Sequence, residues 1–404
     1  MSDAVSGNAA SATRPANLVH FNHAGAGQSS AECVAEVIDH LGKEVRFGPM
    51  EAEKRMAARL DYGYELASRL LGCEPGEVAF GTGHGQLYGD LIAAIPLKAG
   101  DRVLVSSQEW VGNLIALKRR ADSAGATIEV APCDATTAVD VEALKRILDD
   151  RVRLVALTWI GASGPLVNPA TELGAALAGT NAVYVIDASQ ALGQLPIDVT
   201  ELQCDALIAC GRKYLRGPRG TAIAYLATRL ASDLQPVRLD DHAGSWAHGH
   251  VTVRKSARVL ETAEFSVALR LGLIRAIEQA LSGDLIRTRA SLDRTASCLR
   301  DRLAALPGVR VHDVGRLKAA AVTFSIDGLS CDQAQSELAS RGLMVGYNGP
   351  AYTPIDLVRR GIPELLRASV HLETDDDTIT KLVQAVAELA GNDHNPPMAR
   401  NLWI

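Results

Sequence analysis

No stretch of this 404-residue chain approaches the ~18 uninterrupted apolar residues that a membrane-crossing helix needs, so neither such a helix nor a membrane partner is expected. Long basic runs are missing too. Lys and Arg number 41 against 47 Asp and Glu, a formal net charge of -6, and without a clustered positive face a nucleic-acid partner is not expected. The seven cysteines, at positions 33, 73, 133, 204, 210, 298 and 331, include no C-x-x-C pair. That spacing argues against a disulfide framework, a zinc knuckle or any other metal site. Residues 1–17 lack the apolar core of a signal peptide and read as a disordered tail, and the protein reads as cytoplasmic. Hydrophobic residues make up 47% and charged residues 22%, enough to bury a sizeable core.

The length exceeds one ordinary domain and suggests a large domain followed by a smaller one. Between residues 77 and 226 short apolar runs alternate with helical patterns. Strands are expected at 77–82, 102–106, 127–131, 153–158, 182–186, 206–210 and 221–226, with helices between them at 113–124 and 141–149 among others. Such alternation predicts an α/β fold: a mostly parallel seven-stranded sheet sandwiched by helices. After residue 265 the texture changes. Helices at 265–281, 285–306, 331–340 and 375–389 and strands at 320–325 and 367–371 predict a small α+β C-terminal domain. The expected division is a large domain at 18–270, a small one at 271–392 and a polar tail at 393–404.

Chemistry concentrates at three places. In VYVIDASQ, residues 183–190, an apolar run ends in Asp187 at the carboxyl end of a strand, where open α/β sheets bind ligands. A carboxylate there is costly unless a cation meets it, although alone it reads equally as a cap of the next turn. In CGRKYLRGPRG, residues 210–220, Lys213 is flanked by Arg212, Arg216 and Arg219. Nearby cations depress a lysine pKa and favour a nucleophilic amine, although a solvated basic turn has the same composition. In FGTGHGQ, residues 80–86, glycines at 81, 83 and 85 precede a helix whose free amides suit a phosphate. The pattern is neither G-x-G-x-x-G nor a Walker loop, and a glycine turn without a ligand is common. Together the three are far more specific. Phosphate loop, carboxylate and lysine, in that order, are the needs of pyridoxal 5′-phosphate: amides for its phosphate, an acid for its ring nitrogen, an amine for its aldehyde.

On these motifs, and most densely over 187–220, the chain resembles the class V aminotransferases, a family of fold-type I pyridoxal-phosphate enzymes. The resemblance runs from about residue 21 to 377. It implies that Lys213 binds the cofactor covalently and acts in catalysis, that Asp187 pairs with the ring nitrogen, and that Gln190 meets the phenolic oxygen. It further implies that Trp110, in QEWVGN, stacks on the ring in register with Asn113, although a half-buried tryptophan needs no such task. Gly83, His84 and Gly85 fall on the phosphate loop, and Arg212 falls where many relatives carry a phosphate-binding histidine. Cys210 stands where a Ser or Thr commonly holds the phosphate. Arg367, in LRASVH, matches the arginine that binds the substrate carboxylate. His23 and Ala24 match a segment that closes over the substrate. Ala162 and the His371-Leu-Glu373 run depart from the family's usual residues and suggest an unusual substrate. The family also implies a homodimer.

Residues constrain the reaction weakly, because the cofactor stabilises the carbanion in every branch. Cysteine desulfurases carry a nucleophilic cysteine shortly before the carboxylate-binding arginine, yet residues 342–366 contain none and Cys331 opens a helix. The turn GRKYLRGPRG most resembles C–S lyases of ergothioneine-type and lincosamide-type pathways. The expected activity is therefore β-elimination from an S-substituted cysteine. Decarboxylation-dependent oxidative deamination, epimerisation or transamination, and a non-catalytic cofactor-binding partner stand as alternatives.

Overall fold

In the computed structural model, which describes residues 18–391, apolar runs buried on both faces become the strands of one large sheet. The strands in chain order are β1 (Val19–Phe21), β2 (Val78–Gly81), β3 (Arg102–Val105), β4 (Thr127–Val130), β5 (Val152–Thr158), β6 (Val183–Asp187) and β7 (Ala206–Cys210). There follow β8 (Ala222–Leu226), β9 (Gly244–Ala247), β10 (His250–Val253), β11 (Val309–Val311), β12 (Ala321–Ile326), β13 (Leu343–Asn348) and β14 (Leu365–Ser369). The large sheet has seven strands in the order β2-β8-β7-β6-β5-β3-β4. All its pairings are parallel except those of β8 with β2 and β7.

Alternation along the strands sorts side chains between two cores. Leu104, Val155, Ile186 and Leu207 face the helices Pro49–Leu71, Ala170–Leu177 and Val267–Ser282. Their neighbours Val105, Leu154, Val185 and Ile208 face His84–Ala94 and Val111–Ala124. Helices on both faces explain why the central strands read as continuous apolar runs. This is the α/β sandwich that the strand-helix alternation predicts.

The smaller sheet runs β1-β13-β14-β12-β11, backed by Leu285–Ala304, Cys331–Ser340 and Asp376–Gly391. Two features cross the expected division at 270/271. Strand β1 pairs in parallel with β13, so residues 19–21 belong to the smaller sheet. Helix Val267–Ser282 packs its Leu271, Ile274 and Ile277 into the larger core, so that boundary falls inside it. The composition changes before the packing does. The expected helix at 141–149 is shorter, Val141–Lys145. The helices Ala31–Phe47 and Pro49–Leu71, the β9–β10 hairpin and β13 have no counterpart in the sequence reading. The expected tails at 1–17 and 393–404 lie outside the described residues.

The β1–β13 pairing delivers the N-terminal segment to the lysine turn. Ala24 N–H donates to Ser369 Oγ at 2.9 Å, and Gly27 N–H donates to the Arg212 carbonyl at 2.7 Å. A Cβ on Gly27 would lie 2.4 Å from the Lys213 carbonyl oxygen, so only glycine permits this approach.

Candidate active site

The carboxyl ends of β5, β6 and β7 open into a cavity closed from the other side by β14 and the N-terminal segment. It is lined by Thr158, Asp187 and Cys210 from the strand ends, and by Lys213 and Arg212 beyond β7. Trp110, His84, Ser189, Gln190, Ala24, Asn348, Tyr352 and Arg367 also line it, with Gly25, Ile160 and Ala162. Sites of open α/β sheets lie at such strand ends.

Asp187 is buried and held on both oxygens. Ser189 N–H donates to Oδ1 at 2.9 Å, and Asn113 Nδ2 donates to Oδ2 at 2.9 Å. His84 Nε2 lies 3.3 Å from Oδ2 and 3.1 Å from Asn113 Oδ1. With acceptors on that side and the Ser189 hydroxyl 3.3 Å from Nδ1, the ring hydrogen belongs on Nε2. Burial alone would raise the Asp187 pKa, but His84, Lys213 and these hydrogen bonds outweigh it and hold the carboxyl below its ordinary range. A carboxylate kept ionised in a buried pocket is fitted to a cationic ring nitrogen.

Lys213 sits opposite, its pKa lowered chiefly by burial, with Arg212 and Arg367 adding to the effect and Cys210 and Asp187 opposing it. Of the three arginines flanking it in sequence, only Arg212 lines the cavity. Arg216 turns away to the Gln28 carbonyl at 2.7 Å and to Glu373 at 3.4 Å, and Arg219 is exposed. Desolvation is the main cause of this depressed amine, and of the flanking arginines only Arg212 adds to it.

The backbone of His84 lies at the helix start, where the sequence places a phosphate loop, while its side chain takes a second task. Its side chain turns beneath the cavity to brace Asp187, and its ring stacks on Tyr88 at 5.3 Å. The backbone of Gly83, His84 and Gly85 forms the start of helix His84–Ala94, whose first-turn amides have no intrahelical acceptor. Trp110 lines the cavity with its ring edge-on to His84, centroids 5.9 Å apart. Gln190 donates from Nε2 to the Ala24 carbonyl at 3.0 Å, and its buried Oε1 has no partner among the described residues. The Cys210 backbone N–H donates to the Ser189 hydroxyl oxygen at 3.2 Å.

Arg367 is buried on β14 and reaches across to the large sheet. It donates from Nη1 to the Ala162 carbonyl and from Nη2 to Asn22 Oδ1 at 3.3 Å, while its Nε has no acceptor among the described residues. Burial pulls its pKa down to about 10, which leaves it charged at neutral pH. Ala24 lines the cavity, but the His23 side chain does not. That ring is buried against His371, centroids 4.9 Å apart, and neither nitrogen has a hydrogen-bond partner among the described residues.

Ser189, Thr158, Asn348 and Tyr352 went unsingled in the sequence. Ser189 lies inside the very motif that carries Asp187 and Gln190, two residues past the acid. Asn348 and Tyr352 sit in an unremarkable stretch that the fold brings to the site, Asn348 through the β13–β14 pairing and Tyr352 through its carbonyl, which accepts from Val111 N–H at 2.9 Å.

This geometry fits pyridoxal 5′-phosphate: an ionised acid, a depressed amine opposite it, a helix start and an unpartnered buried guanidinium nitrogen share one cavity. Residues 29–382 match the family model for class-V aminotransferases. A cysteine desulfurase of Synechococcus elongatus is 24% identical over 386 residues, covering 92% of this chain and 60% of that protein. One from Dickeya dadantii is 26% identical over 300 residues, covering 70% and 69%. The chain thus spans about 60% of the length of the first of these relatives. The structure of the Escherichia coli cysteine desulfurase CsdA superposes with a TM-score of 0.84 at 22% identity, covering 92% of this chain and 94% of that one. The cystine C–S lyase C-DES, solved with its product cysteine persulfide, superposes with a TM-score of 0.83 at 20% identity, covering 92% and 98%.

Proposed function

The chain belongs to the class-V aminotransferase family of pyridoxal-phosphate enzymes, and from that membership we propose that it is a C–S lyase acting by β-elimination on an S-substituted cysteine. The observation that carries the reading is the make-up of the wall around Lys213. The loop between β13 and helix Pro354–Arg359 brings Tyr352 to the cavity and no thiol. The one cysteine in the lining, Cys210, ends β7, with its Sγ 3.9 Å from the Ser189 carbonyl. A wall without a thiol on the small-sheet side favours release of the sulfur fragment over its capture by the protein.

Bound pyridoxal phosphate supplies an electron sink for negative charge at the substrate Cα. Asp187 holds the ring-nitrogen charge that makes the sink effective. Arg367 holds the α-carboxylate, and the N-terminal segment at Ala24 covers the substrate. Lys213 Nζ takes the α-proton as general base, and burial lowers its pKa, which favours that role. The Cβ–S bond then breaks with its electron pair on sulfur, which leaves as a thiol after taking up a proton. The three-carbon remainder hydrolyses to pyruvate and ammonia. A setting in secondary metabolism, with a cysteine conjugate as substrate, is part of the same reading.

We propose that the enzyme works as a homodimer. Val34, Ile38, Leu41 and Val45 form an exposed apolar stripe at helical spacing on Ala31–Phe47, suited to a second copy of the chain.

The test is incubation of the holoenzyme with a panel of S-substituted cysteines and mass detection of every product. Equimolar thiol and pyruvate without CO₂ supports β-elimination. Carbon dioxide with loss of ammonia would replace it by decarboxylative deamination. An unchanged cofactor spectrum with every substrate would leave a non-catalytic protein.

A further inference from the structure

Behind Asp187 lies a second buried carboxyl that the proposed reaction does not use. Glu109 is wholly buried at the turn before helix Val111–Ala124. Its Oε1 accepts from Asn113 Nδ2 at 2.7 Å, and its Oε2 accepts from the Ser106 hydroxyl at 3.1 Å. The same Asn113 amide nitrogen donates at 2.9 Å to Asp187 Oδ2. One NH₂ group therefore bridges two buried carboxyls, with one hydrogen for each, while Asn113 Oδ1 faces His84 Nε2 at 3.1 Å.

An asparagine amide turned by half a revolution exchanges its oxygen and nitrogen. Turned so, Asn113 would aim its oxygen at both carboxyls and its NH₂ at the ring N–H of His84. Glu109 adds to the preference of Asp187 and His84 for the observed orientation, and does so from the far side. We propose that Glu109 is a positioning residue: through its acceptor oxygen it locks the Asn113 amide, and the locked amide in turn orients Asp187 toward the cofactor's ring nitrogen. The inference rests on the reading of Asp187 as the partner of that nitrogen.

Two ionised carboxyls would repel across the shared amide, and the surroundings favour the proton on Glu109 over Asp187. Burial and Asp187 push the Glu109 pKa up to about 7, against the Asn113 and Ser106 bonds that lower it. On the neighbouring helix the buried Tyr88 hydroxyl has no partner among the described residues and is pushed up in pKa by burial, Glu109 and Asp187. His84 and Lys213 face Asp187, not Glu109. The negative charge is thus concentrated on the carboxyl nearer the cavity.

The test is a double-mutant cycle on cofactor affinity, read by absorbance and visible circular dichroism as pyridoxal phosphate is added back to the stripped protein. Glu109→Leu removes the acceptor, and Asn113→Ala removes the bridge. Each should weaken binding about tenfold or more and reduce the circular-dichroism band of the bound cofactor, and the double variant should be no weaker than Asn113→Ala alone. Glu109→Gln keeps an acceptor for Asn113 and can donate to Ser106, so it should bind within about threefold of the parent with an unaltered band. Independent, additive losses in the cycle would overturn the proposal. So would a Glu109→Gln protein as weak as Asn113→Ala, a comparison that stands even where Glu109→Leu does not fold. Asp187→Asn separates the two readings: if it binds cofactor normally, the assignment of Asp187 has failed. If it binds weakly while Glu109→Leu binds normally, the role of Glu109 alone has failed.

Discussion

Replacing Arg367 by lysine tests the substrate-binding half of the proposed site. The guanidinium has five N–H donors. The structure uses one on the Ala162 carbonyl and one on Asn22 Oδ1, leaving three, one of them on the unpartnered Nε. An Nε–H and an Nη–H lie side by side and match the two oxygens of a carboxylate. A lysine ammonium has no such pair of parallel donors and contacts one oxygen flexibly. The protein itself tolerates the change, because Asn348 Nδ2 also donates to the Ala162 carbonyl, at 2.7 Å. The loss is then one charge-assisted bond to the substrate, roughly 1.5–3 kcal/mol, or about ten- to a hundredfold in KM. Cofactor affinity and spectrum should not change, because Arg367 stands on the small-sheet side of the cavity. Steady-state kinetics on the C–S substrate, beside cofactor titration, makes the check. Unchanged KM would mean that the carboxylate is held elsewhere. Arg254 and Arg258 are poorly placed for that: Arg254 donates to the His242 carbonyl at 2.9 Å, and Arg258 lies over the Tyr64 ring at 3.7 Å.

Borohydride reduction of the holoenzyme followed by peptide mapping should place the pyridoxyl group on Lys213 and on none of the other eight lysines, and Lys213→Ala should lose turnover by orders of magnitude. Glu109 also predicts a pH dependence of stability. Its folded pKa of about 7 exceeds the ordinary 4.5, so the folded state holds a proton between these values that the unfolded chain releases, and stability falls as pH rises through that window. Glu109→Gln removes this fall of up to about 3 kcal/mol, so thermal melts from pH 5 to 8 should show the variant gaining on the parent toward high pH. His84 and His23, both lowered by burial, give the opposite slope below 6.5 in both proteins and cancel in the comparison. Light scattering should return twice the single-chain mass, and Ile38→Asp with Val45→Asp should return one.

The elements that carry the site were legible because each has a local cause. Strands β5 to β8 read as strands because both faces are buried, and Asp187 stood out because an acid ends an apolar run. Lys213 was found from its setting, yet the reason given for its depressed pKa was incomplete: sequence shows three neighbouring arginines, whereas the fold turns Arg216 and Arg219 away and leaves burial to act. The same limit explains His84. Its glycine neighbours mark a helix start, but nothing in FGTGHGQ says that the ring will pass beneath the backbone to Asp187, 103 positions later. The segment of His23 does reach the cavity through Ala24, but the chain turns at residues 22–26, where the Gly25 and Ala26 N–H groups donate to the Asn22 carbonyl, and the His23 ring packs on His371 instead. Carbonyl partners leave no trace in sequence at all. The oxygen of Ala162 takes bonds from Arg367 and Asn348, a task any residue type performs. The departure at Ala162 therefore does not weaken this anchor, and the search for what makes the substrate unusual shifts to the side chains that line the cavity, Tyr352 and Asn348. Those two are brought to the site by the pairing of β13 with β14 and by bonds to the large domain, from Val111 N–H to the Tyr352 carbonyl at 2.9 Å and from Asn348 Nδ2 to the Ala162 carbonyl. Strand β13 also pairs with β1. A single strand thus fixes the N-terminal cover, the arginine and the cavity mouth relative to one another, so a change in β13 register would move all three together.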